Sequence, residues 1–402
     1  MKYVVLIGDG MADRPMKKLG HKTCLQKAKT PNMDWLASHG QPGKVSTIPK
    51  GLEPGSDVAN LSILGYDPEK YYTGRAPIEA EYRGIKLGSK DIAFRCNFVT
   101  LGNPGLNSKT MKDFSAGHIT TKEAGALIKE INIKLGSSPI TFYSGISYRH
   151  LMIWKNGKEN MRCTPPHDIT GKKTAGYLPK GKGADVLRSL MKRSRKVLEN
   201  SPVNKKRIAK GLDPANSIWL WGQGRRLSVP TFKKKYGIEG ALISAVDLTK
   251  GLGICAGFKV INVKGATGYI DTNYAGKANA ALRALNQCDF VYVHVEAPDE
   301  AGHNGSVKDK IKAIEDFDRK VVGTIMKGIK KFGKYRILLM PDHATPTRLM
   351  THTSEPVPFV IYGTDRQTKI KSVRPYNEYI CRMKQIRSFE KGYKLMDYFL
   401  KI

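Results

Sequence analysis

Three apolar segments of this chain each run directly into acidic residues. They are Tyr-Val-Val-Leu-Ile-Gly-Asp (3–9), Phe-Val-Tyr-Val-His-Val-Glu (290–296) with Asp299 shortly beyond, and Arg-Ile-Leu-Leu-Met-Pro-Asp (336–342). Short, continuous apolar runs of this kind are typical of strands buried on both faces of a parallel sheet. The carboxyl ends of parallel strands share one edge of an open α/β sheet, and ligands bind there. We therefore predict an α/β fold in which the three acidic ends come together.

Histidines follow two of these segments. His303 comes four residues after Asp299, a spacing that places both side chains on one face if the segment is helical. His343 comes directly after Asp342, and His352 lies shortly beyond. Oxygen and imidazole ligands without thiolates suit Mn²⁺, Zn²⁺, Mg²⁺ or Co²⁺. The strand ends therefore predict a site for two divalent ions, provided that one further ligand is shared.

Most of these residues, taken alone, also have a simpler explanation. Asp9 could cap a loop or a helix, Asp299 and His303 could form a plain ion pair, and His352 could be an ordinary loop histidine. The aspartate and histidine that follow the third segment are harder to explain in this way, because idle polar groups beside a buried strand are costly. The prediction of a metal centre depends on the set as a whole.

Ser56 is the natural candidate for the further ligand. It follows a Pro-Gly pair at a predicted tight turn, and the apolar spacing over Val58–Leu64 predicts a helix just beyond it. A serine in this position can simply cap the helix. The same oxygen, bound to a metal ion, becomes an activated nucleophile. Two ions and nearby cationic side chains would suffice for phosphoryl transfer, which depends on positioning and charge neutralisation.

The predicted ligands are confined to residues 1–84 and 223–402. Between them, residues 85–222 contain short apolar strands that alternate with helices, among them a basic helix over 184–199. A chain of 402 residues is long enough for two domains. We predict a core of 1–84 and 223–402 with a mostly parallel sheet flanked by helices, interrupted by a smaller inserted α/β (or α+β) domain of 85–222.

The formal net charge of +33 raises the question of a nucleic-acid partner. Residues 85–222 hold 25 Lys and Arg against 9 Asp and Glu, but no aromatic interleaving or nucleic-acid-binding motif accompanies them. A nucleic-acid-binding protein with a degenerate enzyme fold is the alternative that this charge suggests. We expect instead a solvated basic face that attracts anionic substrates, because the set of metal ligands is intact.

The sequence also bears on location. No apolar run approaches the roughly 18 residues that a membrane helix requires, and the first apolar run is too short for a signal peptide. Six scattered cysteines without a C-x-x-C pair fit a reducing compartment. These features predict a cytoplasmic enzyme that binds neither a membrane nor nucleic acid.

Long motifs of the chain resemble one enzyme family. They are Pro-Gly-Ser-Asp-Val-Ala-Asn-Leu-Ser-Ile-Leu-Gly-Tyr-Asp-Pro (54–68), Tyr-Tyr-Thr-Gly-Arg-Ala-Pro-Ile-Glu-Ala (71–80), Glu-Ala-Pro-Asp-Glu-Ala-Gly-His (296–303) and Pro-Asp-His-Ala-Thr-Pro-Thr (341–347), with Asp9 and His352. In this order they resemble the archaeal-type cofactor-independent phosphoglycerate mutases, which belong to the alkaline phosphatase superfamily. The resemblance covers essentially the whole chain.

The resemblance implies an alkaline phosphatase-like core and a role for each motif. Ser56 would be the nucleophile that becomes phosphoserine. One ion would be held by Asp299, His303 and His352, and the other by Asp9, Ser56, Asp342 and His343. The inserted domain would bind the substrate. Segments that look like the family's substrate contacts nominate His118, Arg149, His167, Asp168 and Lys250.

The activity implied by the resemblance is the interconversion of 3-phosphoglycerate and 2-phosphoglycerate, a step of glycolysis. It would use two divalent ions, of which we expect Mn²⁺ before Zn²⁺, Co²⁺ or Mg²⁺, and no 2,3-bisphosphoglycerate. Closure of the inserted domain would keep glycerate in the site and water out. A closely similar branch has been proposed as homoserine kinase, and other superfamily members are phosphatases; the metal site does not separate these alternatives. The sequence contains no P-loop or kinase glycine loop, which favours the mutase over an ATP-dependent enzyme.

Overall fold

A computed structural model of the chain describes residues 1–102, 109–365 and 375–401. The strands are β1 (Lys2–Gly8), β2 (Gln41–Val45), β3 (Ile92–Gly102), β4 (Thr110–Asp113), β5 (Ile140–Ile146), β6 (Arg149–Trp154), β7 (Met161–Arg162), β8 (Lys180–Gly181), β9 (Ser217–Gly224), β10 (Gly240–Ile243), β11 (Lys259–Val260), β12 (Phe290–Val295), β13 (Tyr335–Met340), β14 (Val357–Gly363) and β15 (Arg387–Phe389).

The α-helices are α1 (Cys24–Lys27), α2 (Pro31–His39), α3 (Ser56–Ile63), α4 (Pro68–Tyr71), α5 (Arg75–Tyr82), α6 (Thr121–Leu135), α7 (Ala184–Glu199), α8 (Pro202–Ala209), α9 (Phe232–Tyr236), α10 (Asp247–Cys255), α11 (Tyr274–Ala284), α12 (Ala297–His303), α13 (Val307–Asp316), α14 (Gly323–Gly328) and α15 (Lys394–Lys401). Short 3₁₀ turns cover Lys17–Leu19, Pro166–Ile169, Thr174–Tyr177, Ile329–Phe332 and Glu378–Arg382, and a π-helical turn over Phe317–Val322 joins α13 to α14. In the described ranges, no helix is long and apolar enough to cross a membrane.

The chain separates into two compact units, one of Met1–Tyr72 with Ser228–Ile402 and one of Thr73–Leu227. The predicted limits, 84/85 and 222/223, differ from these. Helix α5 packs on strands β3 and β9 of the second unit. A Cβ atom on Gly74, just before α5, would lie 2.0 Å from the carbonyl oxygen of Gln223 in β9. The chain therefore enters the second unit before α5, ahead of the change in composition that set the predicted limit.

The first unit contains an eight-stranded sheet in the order β11-β10-β12-β1-β13-β14-β2-β15. The pairings make seven strands run in one direction and β14 in the other. Strand β1 lies between β12 and β13, with Gly8 beside Val295 and Ile7 beside Met340. The ends of these three strands therefore meet at one edge. The mostly parallel sheet with flanking helices confirms the predicted α/β class.

The core of the first unit follows from the alternation of side chains along these strands. Val4 and Leu6 of β1 are fully buried in one cluster with Met33 of α2, Ala281 of α11 and Ile314 of α13. These helices cover one face of the sheet. Burial on both faces explains why the strands are continuous apolar runs in the sequence.

The second unit has its own antiparallel sheet, in the order β4-β3-β6-β5, with β9 also paired to β3. Its separate core contains Phe94 and Phe98 of β3, Leu127 of α6, Leu187 of α7 and Trp219 of β9. This antiparallel sheet with packed helices is an α+β arrangement.

Candidate metal centre

The ends of β1 and β13 bring together a buried group of acidic and imidazole side chains. His343 Nε2 lies 3.5 Å from Asp9 Oδ1 and 3.5 Å from Asp342 Oδ2. Asp9 is 4% exposed, and Asp342 and His343 are fully buried. One ligand atom from each of the three lies within 4.8 Å of the others. This is the geometry of residues that can share one cation.

Ser56, the first residue of α3, joins this group. Gly55 occupies the N-cap position of α3, and the Ser56 hydroxyl lies 3.1 Å from His343 Nε2. Asn60, one turn later, donates to the Ser56 carbonyl oxygen at 2.7 Å and to Asp342 Oδ2 at 2.8 Å. The simple capping role considered from the sequence is therefore not the contact that the structure shows, because the hydroxyl faces the metal-ligand group.

A second group forms around helix α12. His303 Nε2 lies 3.3 Å from Asp299 Oδ2, as the helical spacing predicted. His352 Nε2 lies 2.9 Å from His303 Nε2 and 3.6 Å from Asp299 Oδ1. The Nδ1 atoms of the two rings face carbonyl oxygens, that of Met350 at 3.0 Å and that of Pro54 at 3.2 Å. A hydrogen on each Nδ1 satisfies these bonds and leaves each Nε2 free to bind a metal ion.

The electrostatics of the strand ends favour a cation. Burial, together with the charges of Asp342 and Asp299, raises the pKa of Asp9 well above its usual value. Asp9 Oδ1 is buried and has no hydrogen-bond partner among the residues that the structure describes. Burial alone would raise the pKa of Asp299, but His352 and His303 lower it well below its usual range. An orphaned carboxylate oxygen beside two other carboxylates is a costly arrangement unless a cation lies there.

The imidazoles differ in their expected charge. Burial lowers the pKa of His343 to about 4, so that this ring is neutral near pH 7. Burial would also lower the pKa of His303, but the hydrogen bond and charge of Asp299 raise it to about 9. Two Nε2 atoms only 2.9 Å apart, on His303 and His352, require a proton or a cation between them.

The residues present therefore fit divalent cations with oxygen and nitrogen ligands. The structure brings all the predicted ligands to one edge of the sheet. Two groups of potential ligands emerge, and His343 belongs to both. One group is Asp299, His343 and His352, and the other is Asp9, Asp342 and His343. The assignment of ligands to two separate ions stays a prediction.

Sequence reasoning missed a buried chain of charges behind the site. His294 Nε2 lies 3.4 Å from Asp9 Oδ2, and its Nδ1 lies 3.3 Å from Glu296 Oε1. The fully buried Lys277 pairs with Glu296 and donates to the His294 carbonyl oxygen at 3.0 Å. A histidine within an apolar strand was an available signal for His294. Lys277 gave no signal, because a lysine in a helix of mixed composition is usually exposed.

The predicted substrate residues lie in both units. In the second unit, the Arg149 guanidinium lies 5.5 Å from the Tyr148 ring. Phe114 contacts Tyr148 and also His167, at ring distances of 5.8 and 6.1 Å. His118 follows Phe114 in a turn, with a backbone φ of 48°. The structure thus places Arg149 and His167 in one aromatic cluster and His118 close by in the chain.

The remaining predicted residues are Asp168 and Lys250. Asp168 Oδ1 lies 3.7 Å from the Nε2 atom of His167, and both side chains are exposed. Lys250 lies in α10 of the first unit and is 9% exposed.

A group of arginines in the second unit was also missed. Burial would raise the pKa of Glu79, but Arg95, Arg75, Arg83 and Arg149 lower it. Arg95 Nε lies 3.3 Å from Glu79 Oε2. Four arginines near a single buried carboxylate leave an excess of positive charge, which suits an anionic ligand. Only Arg149 had been singled out from the sequence.

Comparison with known proteins identifies the family. The family model described as 2,3-bisphosphoglycerate-independent phosphoglycerate mutase matches residues 37–204. The enzyme of that name from Methanosarcina barkeri is 55% identical over 381 residues, which cover 94% of this chain and 94% of the relative. The chain belongs to this family.

Two solved structures extend the likeness of this phosphoglycerate mutase family member over its whole length. A protein from Pyrococcus horikoshii is 30% identical, with a TM-score of 0.80, and the match covers 99% of this chain and 96% of that one. The cofactor-independent phosphoglycerate mutase from Thermoplasma acidophilum is 28% identical, with a TM-score of 0.64 and coverage of 100% and 99%. The family predicted from the motifs is confirmed, and with it the prediction of an enzyme.

Proposed function

We propose that this chain interconverts 3-phosphoglycerate and 2-phosphoglycerate through a phosphoserine at Ser56. The observation that carries the proposal is the position of the Ser56 hydroxyl, 3.1 Å from His343 Nε2 at the edge of a buried group of carboxylates. Membership in the phosphoglycerate mutase family supplies the substrate. The set of carboxylate, hydroxyl and imidazole ligands supports metal-assisted phosphoryl transfer, because it fits divalent cations.

The proposed ligands form two sets. Asp299, His303 and His352 would hold one ion, and Asp9, Ser56, Asp342 and His343 would hold the other. Mn²⁺ is our first choice, with Zn²⁺, Co²⁺ or Mg²⁺ as alternatives. When bound, such ions would activate the serine oxygen and neutralise charge on the phosphoryl group.

The proposed reaction has two matching halves. Ser56 Oγ bonds to phosphorus while the bond from phosphorus to the C3 oxygen of glycerate breaks. The serine hydroxyl loses one proton in this step, and the C3 oxygen gains one. Glycerate then reorients, its C2 oxygen bonds to phosphorus while the bond from phosphorus to Ser56 Oγ breaks, and the proton of the C2 hydroxyl ends on Ser56 Oγ. No water is consumed, so the net change is an isomerisation. Loss of glycerate before the second half would make the enzyme a phosphatase.

We further propose that the unit of Thr73–Leu227 supplies most of the substrate-binding residues. Arg149 is suited to a carboxylate or phosphate, because guanidinium groups bind these anions through paired hydrogen bonds. His118, His167 and Asp168 are proposed to contact the same substrate, and Lys250 is proposed to contact it from the first unit.

Replacement of the nucleophile tests the proposal. We expect Ser56→Ala to lower the rate of 2-phosphoglycerate formation, followed by coupling to enolase, by at least about 1,000-fold. Ser62→Ala is the matched control. Ser62 lies on the same helix, is 1% exposed, and its hydroxyl has no hydrogen-bond partner in the described part of the chain. The control should keep activity within about threefold, because it removes no hydrogen bond.

Assays of the purified Ser56→Ala variant and of the native protein distinguish the mutase from a phosphatase and from a homoserine kinase. Full mutase activity in Ser56→Ala would disprove the phosphoserine mechanism. Phosphate release from 3-phosphoglycerate without 2-phosphoglycerate would identify a phosphatase. Formation of phosphohomoserine from homoserine and ATP, with no mutase activity, would identify the kinase.

A further inference from the structure

We infer that Thr345 is a positioning residue that leaves Nε2 of His343 free to bind a metal ion and joins the two ligand groups of the candidate metal centre. This inference rests on the proposed function, because it concerns how that site is prepared for its ions. Thr345 is fully buried and lies two residues after His343. It is not among the predicted ligands.

The two hydrogen bonds of the Thr345 hydroxyl are compatible with only one assignment of donors and acceptors. Its hydroxyl donates to Asp299 Oδ1, and the same oxygen lies 3.2 Å from His343 Nδ1. A threonine hydroxyl carries one hydrogen, and an ionised carboxylate can only accept. The hydrogen of Thr345 is therefore committed to Asp299. The contact with His343 is satisfied only if the ring carries a hydrogen on Nδ1 and donates it to the Thr345 oxygen.

The consequence appears on the other side of the His343 ring. A neutral imidazole with its hydrogen on Nδ1 has its lone pair on Nε2. This Nε2 is the atom that lies 3.1 Å from Ser56 Oγ and 3.5 Å from Asp9 Oδ1. Thr345 thus directs the ligand electron pair of His343 toward one group while it orients Asp299 in the other.

Thr345 is itself held from several sides. The fully buried Lys310 donates from Nζ to the Thr345 carbonyl oxygen at 2.7 Å and to that of Ala12 at 3.2 Å, and it lies 3.3 Å from Asp13 Oδ2. The Thr345 amide donates to Ala12. A Cβ atom on Gly10 would come within 2.5 Å of Thr345 Oγ1. The hydroxyl therefore has little freedom to leave its position.

The contact can be removed without touching a ligand. His303 and His352 hold their Nδ1 atoms against backbone carbonyl oxygens, which no substitution of those carbonyl-bearing residues deletes. For His343 the partner is a side chain. Thr345→Val keeps the shape of the side chain and deletes the hydroxyl, and Thr345→Ser keeps the hydroxyl and deletes the methyl group.

The first measurement is a calorimetric titration with Zn²⁺ of the full-length protein, from which a chelator has first removed bound metal ions. We expect Thr345→Val to weaken Zn²⁺ binding about 10- to 100-fold, as loss of a partner of a ligating histidine does. Thr345→Ser should stay within about threefold of the native protein. Thr100→Val is the control for loss of a buried threonine hydroxyl, since Thr100 is 3% exposed in the second unit and donates to the Pro214 carbonyl oxygen at 2.8 Å. It should bind Zn²⁺ like the native protein.

The second measurement needs neither metal nor activity. Imidazole nitrogen NMR of the metal-free protein should show His343 with its hydrogen on Nδ1, and Thr345→Val should shift the ring toward the other tautomer or a mixture. Equal Zn²⁺ affinity and an unchanged tautomer in Thr345→Val would overturn the inference. So would equal weakening in Thr345→Ser, because packing rather than the hydroxyl would then be responsible. A native protein that binds no Zn²⁺ would instead count against the proposed function, and the tautomer would still test the role of Thr345.

Discussion

Two aspartates at neighbouring strand ends carry opposite pKa shifts. Burial and the carboxylates of Asp342 and Asp299 raise the pKa of Asp9. Burial also acts on Asp342, but His343, His294 and the Gly10 amide at 3.0 Å lower its pKa. The same residue type therefore has different properties at positions that the sequence presents alike. The charged neighbours of each carboxylate decide this difference, and Asp342 and Asp299, which raise the pKa of Asp9, are both distant from it in the chain.

Glu378 allows a test of pH dependence away from the predicted metal ligands. Burial raises the pKa of its carboxyl to about 7, and its oxygens accept from the Asp13 amide at 2.9 Å and the Thr23 hydroxyl at 2.8 Å. The folded pKa exceeds the ordinary value of about 4.3. The contribution of this group to stability is therefore full below about pH 4.3 and is lost as the pH rises through 7.

We expect Glu378→Gln to gain stability over the native protein as the pH rises. The difference in the free energy of unfolding should widen by about 1–2 kcal/mol between pH 5 and pH 8, a figure reduced for the partial exposure of the side chain. Urea denaturation at several pH values measures it. Glu355→Gln is a contrasting control, because Arg14 lowers the pKa of Glu355 although burial opposes this. Parallel stability curves for Glu378→Gln and the native protein would contradict the prediction.

At the scale of elements, the periodicity of the sequence was a reliable guide. Strands β1, β12 and β13 lie where the apolar runs predicted them, and α7 has the bounds predicted for the basic helix. The helical spacing of Asp299 and His303 is confirmed in α12. Local patterns succeed here because each element buries one face or both faces in the core of its own unit. The predicted limit of 84/85 lies after α5, whereas the compact second unit begins at Thr73 and includes α5, which packs on β3 and β9.

The turn after β1 is the element whose geometry the site depends on most directly. Gly10 has a φ of 56°, and a Cβ atom there would overlap Asp299 and Thr345. We expect Gly10→Ala to weaken Zn²⁺ binding at least about tenfold and to lower the free energy of unfolding by about 2–4 kcal/mol, since strain and overlap add.

Gly20→Ala separates these two effects. Gly20 has a φ of 65°, and a Cβ atom there would meet nothing within 4 Å among the described residues. It should lose only about 1 kcal/mol through backbone strain and keep its Zn²⁺ affinity. Equal Zn²⁺ affinity in both variants, measured by calorimetry, would show that the turn does not shape the site.

At the scale of the whole molecule, the net charge of +33 is the dominant feature. Helix α7 contributes the exposed side chains of Lys192, Arg193 and Lys196. A strongly positive protein attracts an anionic substrate over distances of about a Debye length. The net charge therefore affects the rate at which the enzyme and its substrate meet, and not the fold.

We expect kcat/KM for 3-phosphoglycerate to fall about 3- to 10-fold as the ionic strength rises from about 10 to about 300 mM, with kcat little changed. Replacing Lys192, Arg193 and Lys196 together by Gln should make this dependence shallower. Steady-state kinetics in NaCl, with sucrose added in a parallel series to control for viscosity, measures the effect. A kcat/KM that does not change with salt would exclude electrostatic attraction of the substrate.

The sequence by itself determined the class of fold, the three strand ends and the family, because apolar periodicity and long motifs are local properties of the chain. It also nominated the carboxylates and imidazoles that the fold gathers at one edge. Only the tertiary structure decided which of their atoms face one another, since Gly10 and Asp342 are 332 positions apart and meet through sheet order. The buried supports, Thr345, His294 and Lys277, emerged only there as well. Their roles arise from hydrogen bonds and burial, which depend on neighbours that no local pattern specifies.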